Sequence, residues 1–155
     1  MSITLLIQDT EWRRLRSLGA RLKRAAIEAL VQGGGETNAA LTILLTSDRH
    51  LRALNLSFRG KDQSTNVLSF PSPMGANGYL GDIAIAYGVT AKEAKSAGKS
   101  LIDHATHLAV HGVLHLLGFD HGTARQAKIM EPFETKILKV LNIADPYERK
   151  VAWRP

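Results

Sequence analysis

An α+β fold with α/β-like character is what this sequence predicts, built as a small four-stranded mixed sheet covered by helices. Three observations carry that reading. Hydrophobic periods follow one another in the order β-α-β-α-β-β-α-α-α. The first strand–helix–strand unit is long enough for a right-handed crossover, which makes a parallel pair. The turn-rich stretch from Pro71 to Gly78 then joins two short strand-like runs, as an antiparallel hairpin does. At 155 residues the chain suits a single domain, 1–155, with a real core. It shows no internal repeat and no low-complexity linker.

The elements follow in order. Ile3 to Ile7 is a short strand. Asp9 or Thr10 caps a helix that runs to about Gln32, with Trp12, Leu15, Leu18, Leu22, Ala26, Ala29 and Leu30 at helical spacing. Its other face carries Arg13, Arg14, Arg16, Arg21, Lys23 and Arg24, offset by Glu11 and Glu28. That face is either a surface that tracks a nucleic-acid backbone or a solvated helix face. Gly33 to Gly35 stop the helix, and Ala39 to Thr46 forms the second strand. Ser47 or Asp48 caps a short helix through about Leu56. A polar loop from Phe58 to Thr65 leads to the strand Asn66 to Phe70, closed by Pro71. Tyr79 to Tyr87 pairs with that strand, and Thr90 to Ala97 is a short helix ended by Gly98. Ser100 caps the long helix that bears His104, His107, His111 and His115. A last helix spans about Thr123 to Leu141, where Pro132 either kinks it or starts a new one. The tail after Ile143 carries no assignment.

Composition narrows the function classes. The hydrophobic fraction of 45% and charged fraction of 22% are those of an ordinary globular protein. The longest apolar stretches fall short of a membrane span and the N-terminus lacks a secretory pattern, so the expected setting is the cytoplasm, without a membrane partner. The absence of cysteine excludes disulfides, cysteine-type zinc fingers and thiol catalysis. A transition metal must then be held by histidine and carboxylate, which suits zinc without selecting it uniquely. Twenty Lys and Arg against fourteen Asp and Glu give a net charge of +6. That excess favours an anionic partner, nucleic acid first, or describes a merely basic protein. Aromatic content is only 6%, so extensive base stacking is not signalled.

The run HGVLHLLGFDH, from His111 to His121, carries the chemistry. His111 and His115 are one helical turn apart and share a face. Gly118 lacks a Cβ and can end the helix in a left-handed turn, so that His121 meets the other two. Three imidazoles leave a fourth side open, the arrangement of a catalytic zinc site rather than a closed structural one. Zinc held by three neutral ligands keeps its full charge and lowers the pKa of a bound water to about 7 in well-tuned sites. The spacing is that of the metzincin proteases, H-E-x-x-H-x-x-G-x-x-H. Their general-base glutamate falls here on Gly112, which cannot accept a proton, and this disfavours an ordinary metalloprotease. Met130 lies in helical sequence and reads as core.

The run HGVLHLLGFDH, the segment RGKDQSTNVLSFP (Arg59 to Pro71) and the strand motif LGDI (Leu80 to Ile83) together resemble the YbeY family of bacterial metal-dependent endoribonucleases, also called rRNA maturation factors. The motifs stand in the family's order and span roughly Phe58 to His121. The resemblance implies a single-strand-selective, zinc-dependent RNase with one zinc per chain. It implies action in small-subunit rRNA 3′-end maturation and ribosome quality control, with rRNA and the ribosome or small-subunit assembly proteins as partners. It places the metal ligands on His111, His115 and His121, and the family's arginine on Arg59. A guanidinium offers paired donors matched to phosphate oxygens, so Arg59 reads as a phosphate clamp.

Several further residues stay open between two roles. Asp120 either holds a ligand imidazole through its second nitrogen or anchors a turn. His107 and His104 either line the cleft or belong to the core. Lys61 either touches phosphate or is solvated. Asp82 either anchors a turn or supports the site, and Ser69 either bonds substrate or completes its strand. Two other functions compete with the nuclease: a non-catalytic, metal-stabilised ribosome assembly factor and, less favoured, a metzincin-like metalloprotease.

Overall fold

The structure, a computed structural model, describes residues 1–73, 76–120 and 122–147. Four strands, β1 (Ser2–Ile7), β2 (Ala40–Thr46), β3 (Val67–Pro71) and β4 (Tyr79–Ala86), are joined in the order β1-β2-β4-β3. β1 and β2 are parallel, as are β2 and β4, while β3 runs antiparallel to β4 with Val67 opposite Ile85. The sheet is therefore mixed, with the parallel β1–β2 pair and the antiparallel β3–β4 hairpin that the sequence predicts. Among the described residues five α-helices cover it: α1 (Leu18–Gln32), α2 (Asp48–Arg59), α3 (Tyr87–Ser96), α4 (Leu101–Leu116) and α5 (Ala124–Val140).

Strand alternation sends side chains to two faces. Leu41, Ile43, Leu45, Ile83 and Ile85 join the main core with the apolar faces of α1, α4 and α5. Leu68, Ala84 and Ala86 turn the other way, onto Leu51 of α2. The sheet thus lies between a layer of long helices and the shorter α2. Gly112 of α4 sits where any Cβ would come within 2.8 Å of Ile83 Cγ2, so a side chain there would force the helix off the sheet.

The first helix differs from its expected form. Thr10–Arg14 is a separate 3₁₀ turn, and α1 begins only at Leu18. Trp12 explains the break. It is 1% exposed, its Nε1–H donates to the Thr46 carbonyl at 3.0 Å, and its ring meets Tyr87 edge-on. Docking the indole at the end of β2 fixes a tight turn that a continuous helix would have to abandon. α2 runs three residues further than its apolar pattern suggests, because Gly60 at φ 70° supplies a left-handed cap just after Arg59. Arg59 therefore ends a helix rather than sitting in a loop. α3 starts at Tyr87, directly off β4, and α5 continues through Pro132 from Ala124 to Val140, so no new helix starts there.

α1 and α4 lie side by side in the same direction. Arg21 pairs with Asp103 in the first turn of α4 at 2.8 Å, and Gly33 abuts Leu114 and Leu117 at its other end. Asp103 and His115 are twelve residues apart on α4, about 18 Å along the axis. The exposed Arg13, Arg14 and Arg16 precede α1, at the end of the layer opposite His115. Beyond α5, Leu141 and Ile143 are buried and Asp145 Oδ1 accepts from Tyr147 N at 2.8 Å and Thr135 Oγ1 at 3.2 Å. The unassigned tail thus folds back along α5 as far as Tyr147. Among the described residues, no helix is long and apolar enough to cross a membrane.

Candidate active site

α4 is delimited by local chemistry. Ser100 Oγ accepts from the Asp103 N–H at 3.0 Å, and Gly118 takes φ 101° just past the last turn. His111 and His115 emerge from the final turns on one face. Their Nε2 atoms lie 3.0 Å apart. Two nitrogen lone pairs so placed need a proton or a cation between them. In a tetrahedral zinc site with bonds of about 2.0–2.1 Å, two ligand nitrogens sit about 3.3 Å apart, close to this spacing. The pair fits a metal. Among the described residues no three imidazole or carboxylate groups gather as a ligand set. His121, the expected third ligand, lies outside the described residues.

His111 is 4% exposed, and its second nitrogen is accounted for. Nδ1 meets Oε1 of Glu134, a fully buried residue of α5. An ionised carboxylate only accepts, so Nδ1 carries the proton and Nε2 keeps its lone pair toward His115. Glu134 Oε2 accepts from His107 Nε2 at 2.9 Å and from the Tyr147 hydroxyl. Burial pushes the Glu134 carboxyl up, but its hydrogen bonds to His107 and His111 outweigh burial and hold it at about 2. Burial also lowers His107, to about 4, against the opposing pull of Glu134. At neutral pH the carboxylate is charged and His107 is neutral.

Glu134 is the functional residue that the sequence reading missed. Its signal was present: Met130, Glu134, Ile137 and Leu138 share one helical face, and all four are buried. A glutamate on an apolar stripe needs a buried partner. The partners on α4 come from the same histidine ladder that drew attention to the site.

The His111–His115 pair opens into a cleft of about 520 Å³, which Arg59, Ser69, Gly118 and Asp120 also line. Arg59 is exposed and projects there from the C-terminal end of α2. Ser69 Oγ donates to the Gly112 carbonyl at 3.2 Å, tying the edge strand β3 to α4 at the cleft wall. Asp120 Oδ1 accepts from the Gly122 N–H at 3.2 Å, a turn bond made at the rim of the cleft. Lys61 is exposed just past Gly60 and does not line the cleft. Asp82 lies away from it, on the sheet surface, where Tyr79 donates to it and also contacts Thr42 at 2.8 Å. His107 belongs to the core behind His111. His104 is likewise buried, 2.9 Å from Glu93 Oε1, which Asn66 also bonds at 3.0 Å. The basic residues Arg13, Arg14 and Arg16 are not part of this cleft.

The chemistry available is that of two imidazoles placed so that they could share a cation, in a cleft that a guanidinium also lines. The family model described as Endoribonuclease YbeY matches residues 7–142. The endoribonuclease YbeY of Chelativorans sp. (strain BNC1) is 44% identical over 151 residues, covering 94% of this chain and 93% of its own. That of Rhodopseudomonas palustris (strain ATCC BAA-98 / CGA009) is 47% identical over 150 residues, covering 92% and 79%. The solution structure of TM1509 from Thermotoga maritima superposes with a TM-score of 0.56 at 20% identity, covering 95% of this chain and 99% of that one. It shares the fold.

Proposed function

Because this chain belongs to the YbeY endoribonuclease family, we propose that it is a metal-dependent, single-strand-selective endoribonuclease acting in maturation of the small-subunit rRNA 3′ end and in ribosome quality control. The observation that carries the reading is the convergence of the His111 and His115 Nε2 atoms, 3.0 Å apart, in a cleft that Arg59 also lines. His111, His115 and His121 hold one zinc per chain. Zinc so bound supplies Lewis-acid charge at the scissile phosphate. Arg59 holds the phosphate by paired N–H donors and offsets charge that builds on its oxygens in the transition state. Gly112 offers no base, and its Cα faces Ile83 across the helix–sheet contact, so the protease position of a catalytic glutamate is closed by packing. The 155 residues act as one endoribonuclease domain in the cytoplasm, with rRNA in the cleft and the ribosome or small-subunit assembly proteins as partners.

Metal analysis coupled to cleavage of single- and double-stranded RNA tests this. Purified protein is expected to carry about one zinc per chain and to cut the single strand. Arg59→Ala is expected to keep zinc and lose cleavage. Full RNase activity in a rigorously metal-free preparation refutes it.

A further inference from the structure

Glu134 does not itself line the cleft, yet it is fully buried and meets His111, which does. Its two oxygens divide the work. Oε1 meets His111 Nδ1, while Oε2 takes His107 Nε2 at 2.9 Å and the Tyr147 hydroxyl. The three donors come from separate places: two turns of α4 and the segment that follows α5. That segment is tied down by Asp145, which bonds Thr135 Oγ1 at 3.2 Å, and the Tyr147 ring stands edge-on to His107 at 5.8 Å. With Oε2 engaged from the far side, the carboxylate cannot rotate without breaking bonds, and Oε1 stays aimed at His111.

We infer that Glu134 is a positioning residue: with His107 and Tyr147 it forms a buried bracket that fixes the tautomer and ring orientation of His111, and so sets how tightly the cleft holds its metal. The inference rests on the metal-site reading above. Its chemistry is simple. The opposite tautomer places a proton on Nε2, at the position a metal must take, and a carboxylate acceptor on Nδ1 disfavours it. Glutamine at 134 keeps the size but replaces one acceptor with a donor, so it can no longer accept from both sides. Phenylalanine at 147 keeps the ring against His107 and removes only the hydroxyl.

The test compares wild type, Glu134→Gln and Tyr147→Phe in two measurements. One is zinc affinity by chelator competition. The other is nitrogen-resolved NMR of the His111 imidazole in the metal-free protein. Glu134→Gln is expected to weaken zinc binding roughly ten- to a hundredfold and to populate the Nε2–H tautomer. Tyr147→Phe is expected to shift both in the same direction by less. A folded Glu134→Gln protein with wild-type zinc affinity and an unchanged tautomer overturns the bracket, since a merely structural role moves the melting temperature alone. Should Glu134→Gln fail to fold, Tyr147→Phe decides, and wild-type values for both measurements overturn the bracket. Wild type that binds zinc but cleaves RNA equally well without it refutes the proposed function and leaves the bracket standing. Wild type that takes up no zinc refutes both.

Discussion

His104 and His107, in the first half of α4, are buried at 0% exposure and each faces a carboxylate, Glu93 or Glu134. His111 and His115, one and two turns further on, bring their Nε2 atoms together at the wall of an open cleft. The residue type and the helix are the same, and the spacing is nearly so, three residues in the first pair and four in the second. The surroundings divide them: in the first half neighbouring helices supply acceptors, while in the last turns the rings line a cleft walled by the edge strand β3. His111 stands on the boundary, with one nitrogen on each side. Histidine spacing alone therefore identifies a face, and the partner of the second nitrogen decides whether that face is core or ligand.

Substitutions along the ladder should separate the two halves. His115→Ala is expected to abolish zinc uptake and RNA cleavage while leaving the metal-free fold nearly as stable, which metal analysis and a melting curve check together. His107→Ala should do the reverse first. It removes a donor from a buried carboxylate, and chemical denaturation of the metal-free protein should report a loss of about 3–5 kcal/mol. Equal stability losses in the two variants would erase the distinction between the halves.

Arg59→Ala sharpens the cleft side. It should lower the single-turnover cleavage rate by about a hundred- to a thousandfold, with zinc content unchanged. Acid sharpens the buried side. The folded-state pKa of His107 lies near 4, below its ordinary 6.5, so the unfolded chain binds more protons between those values. Stability should therefore fall as pH drops from about 6.5 to 4. Glu134, held near 2 against an ordinary 4.5, extends the loss from about 4.5 downward. Denaturation midpoints across this range should show the slope, and His107→Gln, which cannot titrate, should flatten its upper part. The smallest expected change is at the helix–sheet contact. Gly112→Ala sets a methyl 2.8 Å from Ile83 Cγ2 and should cost about 1–3 kcal/mol in a thermal melt.

What the sequence disclosed depended on range. The start and stop of α4 were legible because Ser100 and Gly118 act within a turn of where they stand. The break before α1 was not, because it answers to Trp12 reaching the Thr46 carbonyl, thirty-four residues away. Arg59 was found as a phosphate candidate, but its place on a helix end depends on the conformation of Gly60. The histidine pair was legible from spacing. Its anchor was not, since Glu134 and Tyr147 reach it from beyond the motif and only the fold brings them together. The basic stretch around Arg13 to Arg16 showed the opposite failure: its charge was plain, and its distance from the cleft was set by how α1 lies along α4.

The contact between Gly112 and Ile83 also bears on descent. A nuclease and a peptidase that share a histidine spacing look one substitution apart on paper. Here a glutamate arriving at 112 meets an occupied place, and a smaller residue arriving first at 83 leaves a hole. Each step alone is expected to cost stability, the first by crowding and the second by a cavity. Such a barrier isolates neighbouring chemistries on one scaffold, so that a lineage settled on RNA does not drift toward peptides by single mutations.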